Sequence, residues 1–197
     1  MRTILISFLL LRILTAQSTA VGDLAAGRLL VATRELSDPN FNKTVVLLVH
    51  YDAGGVLGLI VNRQTEVPIG RVFRELKEAK GRADTVYAGG PVEQTAVMAL
   101  LRAKVKPEGA EKVLADVSLI ANQELLEKTI AAGTDAARLH VYMGYAGWTM
   151  RQLEREVELG AWSIFKADAA TVFDAAPESL WYRLTRKSEQ RIASITH

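Results

Sequence analysis

Residues 139–165, LHVYMGYAGWTMRQLEREVELGAWSIF, constrain the fold more than any other stretch. An apparent strand runs to residue 143, and Gly144-Tyr145-Ala146-Gly147-Trp148 reads as a turn into an amphipathic helix. Thr149 is placed to cap that helix and Gly160 to end it, after which Trp162 opens another strand. Two of the three tryptophans therefore flank one helix, and large aromatics at helix ends are usually buried anchors. The order strand, turn, helix, strand leaves few architectures open.

A second constraint lies upstream. Residues 44–51 (TVVLLVHY) are almost wholly apolar and rich in β-branched side chains, the pattern of a strand covered on both faces. Asp52-Ala53-Gly54-Gly55 supplies turn residues before another apolar run, 56–61 (VLGLIV), so the two runs form a β-hairpin. Gly58 within the second run marks a bulge or a close backbone approach. Ser37-Asp38-Pro39-Asn40 has turn chemistry. Ile69, Val72, Phe73 and Leu76 recur at helical spacing behind Pro68 and predict a helix over 69–80. Short strands are expected at 29–32, 85–88, 97–101, 117–120 and 162–166, and further helices at 122–132, 169–173 and 177–185. Hairpins and short strands outnumber βαβ units, which points to an α+β fold with a largely antiparallel, strongly bent or barrel-like sheet.

Residues 1–20 differ from the rest. Arg2 precedes an apolar run at 4–14, and Ser18 and Ala20 are small, the shape of a secretory signal cut after Ala20. Arg12 interrupts that run, and a start placed upstream of the true one, or a retained anchor, is the alternative. The run is shorter than the roughly 20 apolar residues of a membrane span, so no stable transmembrane anchor is expected. A true signal makes the protein periplasmic or extracellular; without one it is cytoplasmic. One domain over 22–195 is the simplest division of the remaining chain.

The leader also carries Arg2 and Arg12, two of the 24 basic side chains, leaving 22 against 22 acidic ones in the body. A formally neutral body lacks the electrostatic footprint of a nucleic-acid binder. Cysteine is absent, which removes lipid attachment through a thiol, thiolate metal sites and thiol catalysis. No GxGxxG, P-loop, GxSxG or SxxK pattern occurs, and no cofactor is implied. Gly89-Gly90-Pro91 reads as turn glycines with positive φ. His50 and His140 have no partner at metal-ligand spacing and read as core or rim histidines. Glu154, Glu156 and Glu158, beside Arg151 and Arg155, read as a solvated helix face. Asn62 and Arg63 are more suggestive, because polar groups just past a strand and beside glycine-rich loops can line a pocket.

Several segments together resemble the AlgH/YqgE-type family of bacterial proteins. They are Gly27-Arg28-Leu29-Leu30-Val31-Ala32, Leu36 with Asp38-Pro39-Asn40-Phe41, the runs at 44–50 and 55–63, Tyr87 with Gly89-Gly90-Pro91-Val92, and Gly144-Tyr145-Ala146-Gly147-Trp148 with Gln152-Leu153-Glu154 and Gly160-Ala161-Trp162. Gln64 stands where the family's Asn-Arg loop usually continues with Pro. The resemblance implies a bent sheet closing into a small barrel surrounded by helices, and it brings no established catalytic residues. It also brings a transcriptional-regulator label, against which stand the neutral body and the lack of a basic recognition helix. The expectation is a non-enzymatic domain that binds a small molecule or a protein. Its candidate ligand-binding residues are Asp38, Asn40, His50, Asn62, Arg63 and Tyr145, with no metal. A hydrolase or transferase using Asp38, Asn40, His50, Asn62 and Arg63 is the first alternative, and a transcriptional regulator, by the family's label, the second.

Overall fold

The computed structural model describes residues 21–195, with side chains as far as Gln190. The leader expectation for residues 1–20 lies outside the described residues. Among the described residues ten strands run in chain order: β1 (Arg28–Ala32), β2 (Val45–Asp52), β3 (Gly55–Ile60), β4 (Gln64–Pro68), β5 (Thr85–Ala88), β6 (Val92–Arg102), β7 (Glu111–Lys112), β8 (Val117–Ile120), β9 (Leu139–Trp148) and β10 (Trp162–Lys166). Five helices accompany them there: α1 (Ile69–Val72), α2 (Gln123–Ala131), α3 (Met150–Glu158), α4 (Ala169–Val172) and α5 (Pro177–Ile195). The sheet order is β10-β1-β2-β3-β9-β6-β8-β7, with β5 joined to β9 and β4 to β5. This strongly curled, mostly antiparallel sheet forms a half-barrel.

The expected hairpin is β2–β3. Val46 faces Ile60 and Leu48 faces Gly58, and both valine and leucine are fully buried. The register then shifts by one residue, so His50 faces Leu57 and Val49 is the extra residue of a bulge. Gly58 sits opposite this bulge. A methyl group there would lie 2.5 Å from Val46 Cγ1 and 3.3 Å from Cζ3 of Trp148, so glycine is required by close packing.

β9 is the hub. Its first half pairs with β6 (Leu139 with Leu101, Val141 with Ala99), its middle pairs in parallel with β5, and its end pairs with β3. The Gly-Tyr-Ala-Gly-Trp segment is therefore strand, where a turn was expected, because Ala146, Gly147 and Trp148 hydrogen-bond beside Gly58, Leu57 and Val56. Gly144, at φ +70°, supplies the local distortion the glycine signal came from. Gly89 and Gly90 lack positive φ and correct a second expectation. They are glycines because a side chain on either would overlap the backbone of Gly144 or Tyr145. The β5–β6 corner thus lies directly on β9.

Residues 69–80 do not form one helix. α1 ends after one turn, and a 3₁₀ turn follows at Lys77–Ala79. A side chain at Gly70 would come within 2.5 Å of the Ala79 carbonyl oxygen, which shows the segment folded back on itself. Its apolar residues Ile69, Phe73 and Ala79 still enter a core, one shared with Leu126 and Ile130 of α2 and with β6, β8 and β9. A larger core joins β1–β3, the end of β9, α3 and α5. The side chain of Asn122 caps α2 and that of Thr149 caps α3, each accepting a backbone N–H three residues on. Leu153 and Val157 turn α3 inward. α5 continues past the expected end at 185, to Ile195.

Candidate functional site

The connection between β1 and β2 is irregular and must be held from outside. Asp38 starts a turn: its Oδ1 accepts the Asn40 N–H at 2.8 Å, and its carbonyl accepts from Phe41 and Asn42. Asn62, buried just past β3, accepts the Val45 N–H at 2.7 Å through Oδ1 and donates through Nδ2 to the Lys43 carbonyl at 3.0 Å. Arg63 donates through Nη1 to the Asn40 carbonyl at 2.6 Å and through Nη2 to the Asn42 carbonyl at 3.1 Å. Side-chain donors thus satisfy carbonyls that no strand partner reaches.

These bonds fix the side chain of Arg63, which lines a cleft of about 320 Å³. Asn40, Thr65, Tyr87, Gln94 and Pro91 line it, and Ile60, Val67, Val86 and Met143 supply apolar lining. Thr65 is held by donating from Oγ1 to the Val86 carbonyl at 2.7 Å. Burial draws Arg63 below its usual pKa, while the field of Asp38 acts in the opposite direction. Among the described residues, Arg63 forms no ion pair.

His50 and Tyr145 lie elsewhere, in an open groove of about 720 Å³ bounded by the β2–β3 turn, Trp148 and the start of α3. His50 Nε2 is 2.9 Å from Asp52 Oδ2, and both side chains are about half exposed. Asp52 is held below the usual carboxylate range, first by the Gly54 N–H at 2.7 Å and also by His50. The Tyr145 hydroxyl meets Glu93 at 3.2 Å. The six candidates therefore divide: Asn40 and Arg63 border the cleft, Asp38 and Asn62 brace its loop, and His50 and Tyr145 border the groove. They do not converge on one reacting position.

Sequence reasoning missed Thr65, Gln94 and Met143, because isolated polar or apolar residues on three separate strands carry no local signal. It also read Glu156 as part of a solvated face. Glu156 Oε2 accepts both indole N–H groups, from Trp148 at 3.1 Å and Trp162 at 2.9 Å, and Phe41 stacks on Trp148 with ring centres 5.4 Å apart. Buried indole donors need such a partner, and the pair of tryptophans around one helix was the available signal. His140 is a core histidine. It lies between Tyr87 and Phe173, at centroid distances of 4.7 and 4.5 Å, and burial lowers its pKa to about 4. Among the described residues no group of three His, Cys, Asp or Glu could hold a metal, and no helix is long and apolar enough to cross a membrane.

Fold and cleft together define a helix-flanked α+β half-barrel protein with the Arg63 cleft beside its hub strand. The AlgH-like family model, DUF179, matches residues 29–193, and the chain belongs to that family. It is 34% identical over 178 residues to the UPF0301 protein SCO2948 of Streptomyces coelicolor, covering 86% of this chain and 89% of that one. The UPF0301 protein of Thermobifida fusca is 35% identical over 181 residues, with coverage of 86% and 89%. The solution structure of AlgH from Pseudomonas aeruginosa superimposes with a TM-score of 0.67 at 30% identity, covering 83% and 87% of the two chains. The crystal structure of DIP2367 from Corynebacterium diphtheriae shares the fold, with a TM-score of 0.68 at 20% identity over 84% and 87%.

Proposed function

We propose that this protein is a non-catalytic binding domain that takes a small molecule in the Arg63 cleft. The observation that carries the reading is the locking of Arg63. Two backbone carbonyls orient its guanidinium before any ligand arrives, and three of its five N–H donors are not used by those bonds. Pre-orientation of this kind lowers the entropic cost of binding. The volume of about 320 Å³ falls at the small end of ligand pockets, which begin near ~300 Å³. A mostly apolar wall with a few placed polar groups is the usual composition of such sites.

The test is a small-fragment screen on ¹⁵N-labelled protein, read by amide shifts. Binding in the cleft shifts Thr65, Ala88 and Gln94 together. A library whose hits never move these amides refutes the reading.

A second reading, hydrolase or transferase chemistry, has one observation in its favour: the 2.9 Å His50–Asp52 pair at the edge of a groove. Turnover of chromogenic esters that disappears in His50→Ala would establish it over simple binding.

A further inference from the structure

We infer that the cleft's ligand is a small-molecule carboxylate with an apolar body, an inference that rests on the cleft being a binding site. Among the described residues, Arg63 is the only charged side chain lining the cleft. Its guanidinium is partly withdrawn from water, which is why its pKa falls, and the two bonds that hold it go to neutral carbonyls. That cation has no direct ion-pair partner among the described residues, the charge of Asp38 acting only at longer range. A carboxylate becomes that partner through charge-assisted N–H···O bonds, and the planar fork of arginine matches the two carboxylate oxygens.

The number of charges decides between anions. One guanidinium balances one negative charge. Asp38, whose field already reaches Arg63, opposes a second. A phosphomonoester, carrying close to two charges at neutral pH, would leave one uncompensated in a partly desolvated site. The rest of the ligand faces Ile60, Val67, Val86 and Met143, which carry no side-chain donor and no acceptor stronger than the Met143 thioether. Gln94 lines the same cleft, is exposed, and makes no side-chain hydrogen bond among the described residues.

Three probes separate the possibilities: 3-phenylpropionate, its neutral amide 3-phenylpropionamide, and phenyl phosphate, each titrated into ¹⁵N-labelled protein. The inference expects the carboxylate to shift Thr65, Ala88 and Gln94 and to bind about tenfold or more tighter than the amide, the scale of one charge-assisted bond. Gln94→Glu places a negative charge in the lining without disturbing a structural bond. It should weaken the carboxylate several-fold, leave the amide unchanged and leave the melting temperature unchanged, while Gln94→Ala retains carboxylate binding. Equal affinity for carboxylate and amide, tighter binding of phenyl phosphate, or indifference of the carboxylate to Gln94→Glu each overturns the inference while the cleft reading stands. If the broader fragment screen finds nothing at these amides, both fail.

Discussion

Replacing Trp148 with alanine removes the side chain on which three elements meet. The residue is only 6% exposed, at the junction of β9 and α3. Truncating a buried tryptophan costs about 3–5 kcal/mol through lost transfer energy and the cavity left behind. Two features raise the expectation within that range. The indole stacks on Phe41 and meets Trp162 edge-on at 6.2 Å, and such pairs add about 0.5–1.5 kcal/mol beyond buried area. Its Nε1–H is also one of two indole donors on Glu156, a bond worth about 1 kcal/mol. The expected loss is therefore about 4–5 kcal/mol, a large share of the ~5–15 kcal/mol available to a native domain. Trp148→Phe keeps most of the ring and loses the donor, and it should cost about 1–2 kcal/mol. Urea unfolding followed by far-ultraviolet circular dichroism reads both as a lower midpoint at unchanged slope. An alanine variant losing less than about 1 kcal/mol would refute the reasoning, because a ring packed on Phe41 and Trp162 and bonded to α3 cannot be removed so cheaply.

The other expectations are checked in the same way or more simply. Asn62→Ala leaves the buried Val45 N–H and the Lys43 carbonyl without their partner and should cost about 2–4 kcal/mol in urea unfolding. Gly90→Ala forces a methyl group into the Tyr145 backbone and should prevent accumulation of folded protein, as judged by dispersion of the amide spectrum. His140 is neutral in the fold, with a pKa near 4 against 6.5 when unfolded, so the unfolded chain binds more protons between those values. Stability should fall by up to about 3 kcal/mol as pH drops from 7 to 4, and His140→Phe should remove that component from the pH dependence of unfolding. Intact mass of the protein from its native host should show loss of residues 1–20 if the leader is a cleaved signal; a full-length mass would count against cleavage.

The hairpin was legible because both partners of β2–β3 are adjacent in sequence and each is an unbroken apolar run. The cap of α3 was legible because Thr149 acts on an N–H group three residues away. Legibility ends where partners are distant. Gly144–Trp148 looks like a turn until β3, far earlier in the chain, pairs with its end. The spacing of Ile69, Val72, Phe73 and Leu76 suits a helix, yet a segment folded over a core through Gly70 and Ala79 presents the same residues inward. The site shows the same division. Asn62 and Arg63 could be singled out as polar groups past a strand. Their work on the carbonyls of Asn40, Asn42 and Lys43 could not, because a distant backbone acceptor leaves no trace in side-chain composition. His50 could not be placed apart from Arg63 without the bulge at Val49 and the curl of the sheet.

Crystals soaked with the tightest hit of the fragment screen locate the binding site most directly. The expected result is ligand density between Arg63 and Met143, with the guanidinium still bonded to the Asn40 and Asn42 carbonyls. Density confined to the groove between His50 and Trp148, with the Arg63 cleft unchanged, would contradict it.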